Sequence, residues 1–264
     1  MAVDSPATHR TPVERAVVHE RWLALGALGL VATACWAWIV RMATDMYSHM
    51  TGASAWAMTT SWDGTYVALL FAMWTAMMAG MMLPSAAPTL LVYGMVARRD
   101  DPAAAPLRIH LFGGGYLVVW AGFSALATAA QWAFTRTGVL SPMMEIQSPV
   151  VAGAMLVVAG LYQLTPLKRA CLSACQSPAA FLVKHWRAGS AGAFRLGIVH
   201  GWYCLGCCWA LMLLLFAGGV MNLTVIVSLT AFLLAEKLMP PVAQGGRFSG
   251  VLLVAFGLYL AAGL

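Results

Sequence analysis

The residues best suited to chemistry lie in one short string, His200-Gly201-Trp202-Tyr203-Cys204-Leu205-Gly206-Cys207-Cys208-Trp209. It holds half of the six cysteines in the chain, with a histidine four residues before the first of them. Thiolate and imidazole are the ligands that soft and borderline transition metals prefer. On a helix advancing about 100° per residue, Cys204 falls about 40° from His200 and Cys207 about 20° to the other side, with Cys208 about 80° away. These four residues therefore share one face, Cys208 at its edge. Cys171 and Cys175 lie upstream, spaced to stack one turn apart if their segment is helical. The set Cys204, Cys207, Cys208, His200, Cys171 and Cys175 is a candidate site for a transition metal, with copper(I) favoured and zinc or an iron–sulfur centre as alternatives. Two other readings stay open. Free cysteine packs as a small hydrophobe, and close thiols can do redox chemistry. A c-type haem would need histidine directly after Cys207, where Cys208 stands. Structural disulfides are disfavoured for thiols facing a reducing cytoplasm or a membrane interior.

A second pattern involves methionine. In Phe71 to Pro84, Met73, Met77 and Met81 form one row at helical spacing, and Met78 and Met82 form another beside it. Thioethers suit copper(I), so these five residues form a possible metal path. The competing reading is gap-filling between helices. If this segment and the cysteine segment are neighbours, Met81 and Met82 share the depth of Cys204. Gly80 and Ala79 would then permit the close approach. A further group of Met42, Asp45, Met46, His49 and Met50 would gather on one side of a short helix as a possible outer site. The alternative is a solvated helix lying along the membrane.

The elements that must position these groups follow from composition. The chain has 264 residues, 61% hydrophobic and only 9% charged, far from the quarter charged that soluble domains carry. Apolar runs of about 20 residues, enough to span a bilayer, recur near residues 22–40, 65–83, 112–134, 149–166, 195–217, 222–238 and 249–264. The expected fold is all-α: a polytopic membrane helix bundle of about seven transmembrane helices. Residues 1–21 form a polar cytoplasmic tail and 22–264 a single transmembrane domain. All lysines and arginines except Arg41 and Arg136 fall in segments of one side. By the positive-inside rule the N-terminus is in and the C-terminus out. The net charge of +6 is thus a topology signal and does not point to nucleic acid. The expected location is a bacterial inner membrane, with the lipid bilayer and a membrane or soluble metal-client protein as partners. The first apolar run, about 19 residues, is longer than a cleaved signal core.

Other residues carry weaker signals. Glu236 stands beside Lys237 at the end of the sixth run, where it would pair with Lys237, counter a bound cation or snorkel to water. Pairing with Lys237 or snorkelling is favoured. Pro84 and Pro88 should break the second helix and free carbonyls that need partners. Gln163 is the one polar side chain near its span end expected inside. There is no phosphate-binding glycine loop with lysine, no buried carboxylate pair and no Ser-His-Asp arrangement. An enzyme is therefore not the favoured class.

The motifs Met73-Trp74, Met81-Met82-Leu83-Pro84-Ser85, Leu167-Lys168 with Cys171, Cys175 and Pro178, His200-Gly201, Cys204-Leu205-Gly206-Cys207-Cys208-Trp209, Met221-Asn222 and Glu236-Lys237 resemble a bacterial family of unknown function. That family is described as predicted metal-binding integral membrane proteins. The resemblance covers about residues 65–260 and implies a metal-binding membrane protein. The expected function is copper(I) handling, by transport or by delivery to a client, through a Cys/His site in the fifth span. The alternatives are a scaffold subunit of a membrane complex and a membrane thiol redox protein.

Overall fold

The computed structural model describes residues 12–47, 62–141 and 143–263, with side chains from residue 25 onward except 240–244. Among them every regular element is helical. In chain order these are α1 (Pro12–Met46), α2 (Gly64–Asp100), α3 (Ala105–Arg136), α4 (Pro149–Leu164), α5 (Pro166–Gln176), α6 (Pro178–His185), α7 (Gly189–Met212), α8 (Leu214–Ala217), α9 (Leu223–Leu238) and α10 (Pro240–Ala261). Among the described residues four segments are long and apolar enough to cross a membrane: Leu25–Met46, Gly64–Asp100, Ala105–Arg136 and Gly189–Ala217. A fifth arises if α4 and α5, bent by 67° at their junction, count as one. The first helix starts at Pro12, so helix reaches into the segment expected as a tail.

Pro84 and Pro88 do not end α2, contrary to the expectation above. The helix runs through both to Asp100. The reason is local. Proline lacks the N–H that would bond the carbonyl four residues back, so Pro84 leaves the Gly80 carbonyl without its helical partner. Trp36 Nε1 on α1 donates to that oxygen at 3.1 Å. A Cβ at Gly80 would stand 3.2 Å from Cys35 Cβ and 3.4 Å from Ile39 Cδ1. The bare glycine therefore lets α1 approach and close the gap. This also corrects the expected role of Gly80: it admits α1, not the cysteine helix.

Two seams hold the bundle at backbone distance. Along α4 and α10, Gly153 faces Gly257 and Gly160 faces Gly250. A Cβ on Gly153, Gly160 or Gly257 would lie within 2.6 Å of the opposing carbonyl, and one on Gly250 at 2.9 Å. The seven-residue spacing in both helices brings each pair round to the same face. Along α3 and α7, a Cβ on Gly197 would sit 2.0 Å from the Phe112 carbonyl oxygen, and one on Gly115 2.2 Å from that of Phe194. Small residues at helix interfaces allow this approach. The α3–α7 seam sets the height of α7, and with it the height of its cysteines.

At the opposite end of α7 the chain folds tightly. The α3–α4 loop carries a bridge between Leu140 and Ile146 and a left-handed Met144, whose carbonyl accepts from Val220 N at 3.2 Å. Tyr47, just past α1, donates to Glu145 Oε1 in that loop at 3.1 Å.

Candidate metal centre

Helices α2, α3, α5, α7 and α9 each send side chains to one buried locus. α7 presents Cys204, Cys207 and Cys208, all buried. The Cys207 and Cys208 thiols both donate to the Cys204 carbonyl, at 3.0 and 2.9 Å. α2 contributes Met82, whose sulfur is 4.0 Å from Cys208 Sγ, and Ser85, whose hydroxyl donates to the Met82 carbonyl at 2.7 Å. α3 contributes Tyr116. Its hydroxyl donates to that same carbonyl at 3.0 Å and lies 3.0 Å from Cys204 Sγ, so it ties the methionine helix to the cysteine helix.

The centre of this locus is Lys237 Nζ. Its three N–H groups are shared among Cys204 Sγ at 3.0 Å, Ser85 Oγ at 3.2 Å, Met82 Sδ at 3.5 Å and Cys208 Sγ at 4.0 Å. The side chain is buried, and among the described residues the ion pairs give it no carboxylate. A buried ammonium with no carboxylate depends on the surrounding soft donors for its stabilisation. Two cysteine sulfurs and one thioether thus converge on a single point that already holds a cation.

The neighbouring Glu236 does not pair with Lys237 and does not snorkel, which corrects the sequence expectation. Successive residues of a helix point about 100° apart, so Glu236 faces α5 while Lys237 faces the sulfurs. Both carboxylate oxygens of Glu236 accept from Lys168 Nζ at 2.7 Å, and both side chains are buried. Gln176 Nε2 adds a bond to the Glu236 carbonyl at 2.7 Å. These contacts pin α5 to α9. At the start of α5, Thr165 caps the helix by accepting from Lys168 N at 3.2 Å, and Pro166 occupies the first turn. The residue before a proline disfavours helix, which explains the bend between α4 and α5.

That bend carries α5 beneath α7. Cys175 is buried and faces the thiols of Cys204 and Cys207. Cys171 packs against Gly206, where a Cβ would lie 2.8 Å from its sulfur. The Gly206 carbonyl accepts the Tyr162 hydroxyl. His200 is buried one turn from Cys204, among the rings of Phe112, Tyr116 and Phe181 at 5.9, 5.7 and 5.0 Å, and among the described residues its Nδ1 has no hydrogen-bond partner. The six residues marked by the sequence are therefore layered: Cys204 and Cys208 at the ammonium, Cys207 and Cys175 beside them, His200 and Cys171 behind. Among the described residues no three His, Cys, Asp or Glu side chains by themselves hold a metal-binding arrangement. The convergence that exists needs the Met82 thioether.

Met73, Met77, Met78, Met81 and Met82 are all buried in the main core. Met42 and Met46 are buried in the same core on α1, and Asp45 is half-buried. His49 and Met50 lie outside the described residues. Gln163 is buried as expected, and among the described residues neither amide atom has a hydrogen-bond partner. Sequence reasoning missed Lys237, Ser85 and Tyr116 as members of the locus, and Lys168 as the partner of Glu236. The one available signal was the pair of lysines within or beside apolar runs, where a charge is expensive and so has a task.

A family model described as PpoB2, copper chaperone, matches residues 71–260, nearly all of α2 to α10. No curated protein and no solved structure matches the chain. The chain belongs to the PpoB2 copper chaperone family.

Proposed function

We propose that this member of a copper chaperone family is an integral membrane protein that binds copper(I) through Cys204, Cys208 and Met82 and hands it to a client. The observation that carries the reading is the convergence of three sulfurs within 4.0 Å of one buried cation. Thiolate and thioether together form a soft donor set, which suits a soft monovalent ion better than a hard one. Cys207 and Cys175 stand alongside as the next thiols along a transfer route, and the buried methionines of α2 extend soft donors away from the locus. Tyr116 and Ser85 orient the Met82 and Cys204 region by hydrogen bonds, as outer partners do for metal ligands. The apolar lengths of α1, α2, α3 and α7 support insertion in a bilayer. The lysine and arginine bias supports a bacterial inner membrane with the N-terminus in and about seven crossings, the shorter α9 and α10 among them.

The test is metal analysis of the full chain, purified in detergent and loaded with copper(I) under anaerobic, reducing conditions. About one copper per chain is expected, reduced to background in the Cys204→Ser/Cys208→Ser double variant and weakened in Met82→Leu. Equal copper in wild type and double variant would overturn the assignment.

A further inference from the structure

We infer that Lys237 is a specificity-determining residue: its fixed positive charge tunes the sulfur locus to a monovalent cation over a divalent one. The inference rests on the proposed copper site and extends it from where the ion binds to which ion is accepted.

The argument is a charge count in a buried place. Cysteine binds metal as thiolate, and its proton leaves to water on binding. Two bound thiolates, Cys204 and Cys208, bring two negative charges, and the Met82 thioether brings none. The ammonium of Lys237 cancels one of them. A monovalent ion cancels the other and leaves the locus neutral. A divalent ion such as zinc leaves one positive charge uncompensated. An unpaired charge away from water is strongly unfavourable, so the divalent complex is disfavoured although zinc is a good thiolate partner.

Three observations support the count. Lys237 is buried and is held at the sulfurs, 3.0 Å from Cys204 Sγ. Among the described residues it has no carboxylate partner to neutralise it. Glu236, next to Lys237 in the chain, and Lys168 are satisfied by each other at 2.7 Å and add no net charge. Ser85 Oγ, 3.2 Å from Nζ, gives the ammonium an oxygen contact that does not depend on the sulfurs. That contact can keep the charge nearby once they are taken up by metal. A lysine placed only to fill space would be replaceable by leucine without changing which ion binds.

The experiment uses the full chain in detergent with silver(I), a redox-inert monovalent soft ion, competed against zinc(II). Wild type is expected to prefer silver(I). Lys237→Leu, uncharged and without a metal-binding atom, should lower that preference at least tenfold, because two thiolates then neutralise a divalent ion. Lys237→Arg should keep the preference. If Lys237→Leu does not fold, Lys237→Gln decides: it removes the charge, keeps a polar side chain and should also shift preference toward zinc at least tenfold. An unchanged silver-to-zinc ratio in whichever of these variants folds overturns the inference while leaving the copper site standing. Failure of wild type to bind silver(I) at all overturns the site assignment and the inference with it.

Discussion

Replacing Glu236 with glutamine tests what holds the locus together. The substitution keeps the shape and removes the charge, so Lys168 is left buried, facing an amide. Its ammonium sits 2.7 Å from both carboxylate oxygens, and the two side chains are 3% and 1% exposed. Two unit charges about 4 Å apart at an effective dielectric near 20 attract by about 4 kcal/mol. Breaking a buried pair by removing one partner costs about 3–5 kcal/mol. The glutamine oxygen still accepts one hydrogen bond, which places the expected loss at the lower end, about 3 kcal/mol. Reversible unfolding of the full chain in mixed detergent micelles measures it. Lys168→Met/Glu236→Leu should recover most of the loss, because it removes both charges together. Gln176→Leu is the control. Gln176 bonds the Glu236 carbonyl rather than its carboxylate, so removing it tests the α5–α9 contact without a charge and should cost about 1 kcal/mol. A Glu236→Gln protein within 1 kcal/mol of wild type would refute the claim that this pair is electrostatically committed. A double variant as unstable as the single one would show that shape, not charge, was lost.

Further outcomes follow from the seams and the proline helix. Gly197→Ala places a methyl against the Phe112 carbonyl, 2.0 Å away, and should cost about 3 kcal/mol by overpacking. Gly113→Ala on α3 meets nothing within 4 Å and should be neutral or gain about 0.5–1 kcal/mol of helix propensity. The same unfolding assay separates them, and equal effects would sink the seam argument. Trp36→Phe removes the donor that satisfies the Gly80 carbonyl opposite Pro84 and should cost about 1–3 kcal/mol. If Pro84→Ala restored no part of that loss, the indole would not be acting as the missing helix donor.

The family model begins at Phe71, so α1 lies outside it although its Trp36 completes α2. Closing the proline gap in α2 keeps Met82 and Ser85 aimed at the locus. α1 thus acts on the site at a distance, through the continuity of the helix beside it.

Sequence periodicity located the cysteine helix and the shared face of its residues, because a repeat near 3.6 is a property of one helix alone. Composition likewise fixed the helical class, since only 9% of residues are charged and the apolar runs are long. Neither could say which helix covers that face. Met82 and Lys237 stand 155 residues apart and Tyr116 and Cys204 stand 88 apart, and no local pattern encodes that meeting. Adjacent Glu236 and Lys237 looked like partners by proximity along the chain, yet the helical turn sends them to different neighbours. The tertiary packing decided that one lysine satisfies the glutamate and the other lies among the sulfurs. The physical reason is that a buried charge takes its partner from the elements packed around it, and those are chosen by glycine seams and proline bends far away in the sequence.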